Sequence, residues 1–357
     1  MTRSRHPDLR DLRDLLSIDL PLIQAPMAGV QGAAMAIAVS NAGGLGSLPC
    51  AMLAPDALRA ELRAIVEGTA KPYNVNFFCH VPPVPDAARE AAWHAALAPY
   101  CSELGIDPAA IPAGGGRRPF DDAMADVLED FRPPVVSFHF GLPSPALLAR
   151  VKAWGATVLG CATTVAEARW LAAHGADAVI AQGLEAGGHR GLFLTDDLST
   201  QVGTLALVPQ VAAAIERPVI AAGGIADARG AAAAMALGAA GVQIGTAYLL
   251  CHEATTGALH RAALRGPRAE HTVLTNLISG RPARGIRNRL LDELGPLSTI
   301  APAFPLATAA LTPLKAAAER LGRDDFSTMW AGQNASGCDE VPAAELTRRF
   351  AEAFRRS

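Results

Sequence analysis

Eight short apolar runs recur along the chain, at residues 22–24, 44–47, 73–77, 135–138, 156–159, 178–181, 219–222 and 241–244. They read as parallel strands buried on both faces, not as the alternating strands of a half-exposed sheet. Most are followed by an alanine-rich stretch of helical character, such as 55–67, 145–154 and 164–174. Two connections repeat one pattern of helix, glycine, strand, at Gly175-Ala176-Asp177-Ala178 and Gly238-Ala239-Ala240-Gly241. Glycine there supplies the left-handed cap at a helix end. Eight strand–helix units predict an α/β chain folded as a TIM (β/α)8 barrel. A doubly wound open sheet is the competing arrangement, but no G-x-G-x-x-G turn follows the first strand.

Two regions break the rhythm. Residues 80–132, rich in Pro, Ala and Gly, separate the third and fourth strands, and residues 252–338 follow the eighth. The expected organisation is a barrel over 1–251, with 80–132 as an excursion toward a second, smaller, mainly helical domain. That domain, 252–338, would lie over the barrel mouth, and 339–357 would supply a closing C-terminal helix, amphipathic over 343–355. The uncharged stretch 231–251 has the length of a membrane span, but its glycines, Gln243 and Thr246 fit a helix, a turn and a buried strand better.

Composition narrows the function classes. The chain has 357 residues, 50% hydrophobic and 18% charged, with a net charge of −3 and both signs interspersed. That is a globular composition, and it argues against a nucleic-acid or anionic-membrane surface. The Arg-rich run 281–289 is expected to be a solvated loop with a local anion contact. The first residues lack an apolar signal core, and six scattered cysteines show no metal-ligand spacing. Reduced thiols in a cytoplasmic protein without a bound metal are therefore expected.

Chemistry in a barrel sits at the C-terminal ends of the strands. The polar residues of this chain fall there: Gln24, Asn76, His139, Gln182 through Arg190, Gly223-Gly224 and Gly245-Thr246. The glycine turns after strands seven and eight predict a phosphate site, because glycines let a dianion approach backbone N–H groups. The amide side chains of Asn76 and Gln182 suit the polar ring edge of flavin mononucleotide (FMN), with Met27 as apolar backing or as core. Within Gln182–Gly191 the glycines permit close approach to a flat ring, and His189 is the side chain most easily tuned for proton transfer. His139 either lines the same cavity or makes a structural hydrogen bond. Glu185 either braces its loop or pairs with Arg190. His6, His80, His94, His174, His252, His260 and His271 read as structural or surface residues.

These pieces together resemble the class I nitronate monooxygenases. The resemblance is carried by Pro21 through Gly29, Asn74-Val75-Asn76-Phe77, Phe138-His139-Phe140-Gly141 and Gln182 through Gly191. Pro218 through Asp227, Gly241 through Thr246 and Met329-Trp330-Ala331-Gly332-Gln333 complete it. It implies an FMN-dependent barrel with a smaller helical domain. Cofactor contacts would fall on Ala25, Pro26, Met27, Asn76, Gln182, Gly187, Gly188, Gly223, Gly224, Gln243, Ile244, Gly245 and Thr246. His189 would be the catalytic base and His139 would line the substrate cavity. The implied partners are a small alkyl nitronate, such as propionate 3-nitronate, and O2, giving a carbonyl compound and nitrite. A homodimer is compatible with the family. The segment Phe304 through Ala310 departs from the family pattern, which often has larger or polar groups there.

Two other readings share the scaffold. One is an NAD(P)H-dependent flavin reductase of the enoyl-acyl-carrier-protein or quinone type, which also carries the Glu-Ala-Gly-Gly-His run. The other is a non-redox barrel binding a sugar phosphate, for which a Schiff-base lysine at a strand end is missing.

Overall fold

The computed structural model describes residues 11–107 and 117–354. Residues 1–10, 108–116 and 355–357, among them His6, part of the 80–132 excursion and the end of the closing helix, lie outside the described residues. Eight parallel strands form one sheet: β1 (Leu22–Gln24), β2 (Gly46–Pro49), β3 (Tyr73–Phe78), β4 (Val135–His139), β5 (Thr157–Ala162), β6 (Ala178–Gln182), β8 (Val219–Ala222) and β9 (Gly241–Ile244). β7 (Gly188–His189) lies apart, in the loop after β6. The order β1-β9-β8-β6-β5-β4-β3-β2 returns on itself through a parallel bridge between Ile23 and Leu45. The sheet is thus a (β/α)8 barrel, as expected. β2 begins at Gly46, two residues later than its apolar run, because Leu45 is spent on that closing bridge.

Inside the barrel, Ile23, Leu45, Leu159, Cys161, Ile180 and Ile220 pack with Leu12 and Leu16 of the helix Leu12–Leu16. A Cβ at Gly241 would collide with Leu12, so this helix closes the floor where the strands begin. The outer faces of the strands pack against the surrounding helices in two further apolar clusters. The two predicted helix-ending glycines take left-handed φ, +110° at Gly175 and +101° at Gly238. The uncharged stretch 231–251 resolves into the end of helix Ala228–Ala236, β9 and a 3-10 turn at Thr246–Leu250. Among the described residues no helix is long and apolar enough to cross a membrane, and no His/Cys/Asp/Glu group could hold a metal.

The helix Ala87–Glu103 packs Trp93, Leu97 and Tyr100 against Leu277, Leu290, Leu311, Leu314 and Phe326. The excursion after β3 and the region after β9 therefore share one apolar cluster. A three-stranded antiparallel sheet joins that region to the barrel, in the order β10 (Thr272–Thr275), β11 (Ala283–Ile286), β7. This corrects the reading of 281–289 as a solvated loop. Arg284 is buried, donating to the Leu184 and Thr272 carbonyls at 2.9 and 3.2 Å. It lies within β11, the middle strand of that sheet. The C-terminal helix Ala343–Arg349, followed by a 3-10 turn at Phe350–Phe354, packs Leu346 and Phe350 into the outer barrel cluster.

Candidate functional site

The site lies at the C-terminal mouth of the barrel, where the loop after β6 turns back as β7 and is pinned at each step. Arg190, fully buried, donates to the carbonyls of Gln182 and Gly183 at 2.8 and 2.7 Å and to Gln201 Oε1 at 3.0 Å. Gln182 spans the loop. Its Nε2 donates to the His189 carbonyl at 2.9 Å, and its Oε1 accepts from the Gly191 N–H at 2.8 Å. His139 Nε2 lies 3.2 Å from the same His189 carbonyl, so His139 carries its proton on Nε2 and donates. The two options for His139 thus meet in one arrangement: it borders the site and holds His189 by its main chain. Glu185 braces its loop, accepting from the Thr204 N–H and hydroxyl at 2.8 Å each, and makes no hydrogen bond to Arg190.

The His189 ring projects into an aromatic cage. Its centroid lies 5.2 Å from Phe304, 5.5 Å from Trp330 and 6.0 Å from both Phe78 and Phe140. Phe140 adopts φ +69°, rare for a non-glycine residue, and Gly141 follows at +93°. This left-handed corner after β4 costs about 1 kcal/mol and turns Phe140 toward His189. Ser279 Oγ sits 2.8 Å from His189 Nε2 and 3.4 Å from the Arg281 carbonyl. When the serine proton goes to that carbonyl, His189 keeps its proton on Nε2 and Nδ1 is the free basic nitrogen.

Burial holds His189 well below the ordinary histidine pKa, and the nearby Arg117 guanidinium pushes in the same direction. His139 is lowered to about 3 and His80 to about 4, both chiefly by burial. Three neutral imidazoles therefore share this mouth with two arginines. Arg281 lies over the Phe140 ring at 4.3 Å, and Arg117 stands 5.9 Å from the Phe304 centroid. No carboxylate of the described residues is bonded to either.

Of the two options for His80, structural or surface, the fold excludes the surface one: it is buried in the cage, 4.8 Å from the Phe304 ring. Its place four residues beyond Asn76 on the end of β3 was the available signal. Ser279, Arg117 and Phe304 come from segments whose approach to the mouth only the tertiary fold decides. His174 stacks on Trp170 at the surface, and His260 is buried in the helix Ala258–Arg265, beside Trp330.

The remaining predicted residues gather beside the cage. Asn76 Nδ2 donates to Ser137 Oγ at 2.9 Å, leaving Oδ1 without a partner among the described residues. Gln243 Oε1 is buried and unpartnered. A Cβ at Gly245 would stand 3.4 Å from Ala25 and 3.8 Å from Met27 Sδ, so these three adjoin. Gly223 and Gly224 take φ of +121° and +69° and lie against the Gly183–Ala186 loop. A Cβ at Gly188 would meet nothing within 4 Å. The segment after Trp330 seals this edge. Gly332 N–H donates to Thr246 Oγ1 at 2.9 Å, Gln333 N–H to the Glu185 carbonyl at 2.9 Å, and Asn334 Nδ2 to the Gly224 carbonyl at 3.1 Å. An orphaned amide oxygen, open space at Gly188 and glycine turns at two strand ends are what a flat cofactor with a phosphate tail needs.

Known proteins share this architecture. The family model described as nitronate monooxygenase matches residues 10–352. The chain is 47% identical over 344 residues to the nitronate monooxygenase of Pseudomonas aeruginosa, covering 96% of this chain and 98% of that one. To the nitronate monooxygenase of Paraburkholderia phytofirmans it is 44% identical over 351 residues, covering 98% and 96%. Nitroalkane oxidase from Streptomyces ansochromogenes superposes with a TM-score of 0.87 at 38% identity, covering 97% of this chain and 99% of that one. FabK from Thermotoga maritima superposes with a TM-score of 0.71 at 28% identity, covering 97% and 96%.

Proposed function

The chain belongs to the nitronate monooxygenase family, and from that premise we propose that it oxidises nitronates with FMN at the barrel mouth and His189 as proton acceptor. The observation that carries this reading is the His189 imidazole, fixed by Gln182, His139 and Ser279 beside a glycine-lined cradle. The cofactor would be held by Asn76 and Gln243 at its ring and by Gly223, Gly224, Gly245 and Thr246 at its phosphate. Met27 would back it, and Gly187 and Gly188 would let it approach. Gln182 would act mainly through the loop, since both ends of its amide are engaged there. When bound, FMN supplies the redox chemistry between nitronate and dioxygen.

The protein's own residues do the rest. A neutral nitroalkane must first lose its α-proton. The free nitrogen of His189 accepts that proton, and the imidazolium so formed faces the negative nitro oxygens. A substrate that arrives as nitronate needs no such transfer. Arg117 and Arg281 keep His189 unprotonated in the free protein and favour an incoming anion. Phe78, Phe140, Phe304 and Trp330 exclude bulk water, which strengthens each of these interactions. We assign the covering of the mouth to a smaller unit made of helix Ala87–Glu103 and residues 252–338.

The test is spectroscopic and then kinetic. The purified protein should show flavin absorbance that denaturation releases as FMN. It should consume oxygen and form nitrite with propionate 3-nitronate in the absence of NAD(P)H. Colourless protein, or oxygen uptake only with NADH, would contradict the assignment; rapid NADH oxidation by a quinone or enoyl thioester would favour the reductase reading.

A further inference from the structure

The geometry points to Arg117 as a specificity-determining residue, whose guanidinium binds a second anionic group on the nitronate, a carboxylate remote from the reacting carbon. The inference rests on the nitronate reading above and adds to it which part of the substrate is recognised and by what.

Arg117 is positioned by Thr308. The Thr308 hydroxyl donates to the Ile278 carbonyl at 3.1 Å, which aims its lone pairs at Arg117 Nη1, 3.1 Å away. Thr308 takes one of the five guanidinium N–H donors. No ion pair to a described carboxylate is present, and burial lowers the arginine's pKa. A half-buried guanidinium held in place with no carboxylate partner among the described residues is suited to receive an anion.

Its location fits the remote end of a substrate. Phe304 touches both groups, with its centroid 5.2 Å from the His189 ring and 5.9 Å from Arg117 Cζ. The guanidinium and the reacting imidazole thus border the same aromatic ring. Two further polar atoms nearby are buried without partners, His80 Nδ1 and Arg281 Nε. The Arg281 Nε–H can only donate, so it too would gain from an anion. This end of the cavity is thus built from an arginine, a threonine and a phenylalanine.

The experiment compares two nitronates of equal chain length, propionate 3-nitronate and propyl 1-nitronate, by oxygen uptake in the holoenzyme. Wild-type protein should favour the carboxylated substrate in kcat/KM. In Arg117→Met that ratio should fall by roughly ten- to a hundredfold, the range for a charge-assisted hydrogen bond. Any change that Arg117→Met makes in His189 protonation acts on both substrates and cancels in the ratio. Arg117→Lys keeps the charge without the planar fork and should lie between the two. If Arg117→Met does not retain flavin, Arg117→Lys and Thr308→Val carry the test, each with a smaller fall in the ratio. An unchanged ratio in these variants, or a wild type that prefers propyl 1-nitronate, overturns the role of Arg117. Failure of wild type to oxidise either nitronate overturns instead the functional reading beneath it.

Discussion

His189 is held by its main chain and left free to react by its ring. Its carbonyl receives donors from Gln182 and His139, and Ser279 meets one ring nitrogen. Desolvation first, and then the charges of Arg117 and Arg281, hold its pKa well below the ordinary value. The proton-acceptor role makes a sharp prediction at this scale. His189→Asn should retain flavin yet lose activity on neutral nitroalkanes by roughly 10²–10⁴-fold, the usual contribution of a positioned base. Its loss on preformed nitronates should be much smaller. Oxygen uptake with nitroethane and with its anion measures the two, and equal losses would remove the proton-transfer role. His189 itself was legible in the sequence, because glycines and one histidine after a strand-like run are an unusual combination. Ser279 and Arg117 were not, since no local pattern distinguishes a serine or an arginine that reaches the mouth from one that does not.

Among the elements, the contact between the β6–β7 loop and the segment after Trp330 organises the cofactor edge. At Gly187 a Cβ would stand 2.6 Å from the Ala331 carbonyl carbon and the Gly332 nitrogen. Backbone on both sides would have to move apart, at a cost of about 1–3 kcal/mol. Gly187→Ala should therefore lower thermal stability and weaken flavin retention. Gly188→Ala faces only its φ of +72° with nothing within 4 Å, and should cost about 1 kcal/mol. Melting temperatures and flavin content of the two variants check the order; a larger effect at Gly188 would show that the close approach to Ala331 is not what matters. The strands, the helix caps and the glycine turns were readable from the chain because each depends on neighbours in sequence. β11 was not. Its arginines read as solvent-facing, whereas Arg284 is buried against the Leu184 and Thr272 carbonyls.

For the whole molecule, buried histidines tie stability to pH. His80 and His260 are lowered to about 4 and His139 to about 3, each chiefly by burial. An unfolded histidine binds a proton near its ordinary pKa of about 6.5, while these folded ones stay neutral. Their contribution is complete above that value and is lost as pH falls through it toward the folded values, by up to about 1.4 kcal/mol per pH unit for each. The melting temperature should thus drop steeply between about pH 6.5 and 4, and His260→Gln should make the drop shallower. An unchanged slope in that variant would show that His260 is not neutral in the fold.

The chain by itself determined the barrel and the chemistry at the ends of its strands, because buried parallel strands need continuous apolar runs and strand ends need glycine and polar residues at fixed offsets. The tertiary structure alone decided which distant side chains complete the site. The Phe304 ring, the Ser279 hydroxyl and the Arg117 guanidinium arrive from segments that carry no periodic signal of their own. They are brought to His189 by the apolar cluster joining helix Ala87–Glu103 to residues 277–326, and packing between elements so far apart in sequence leaves no local trace to read.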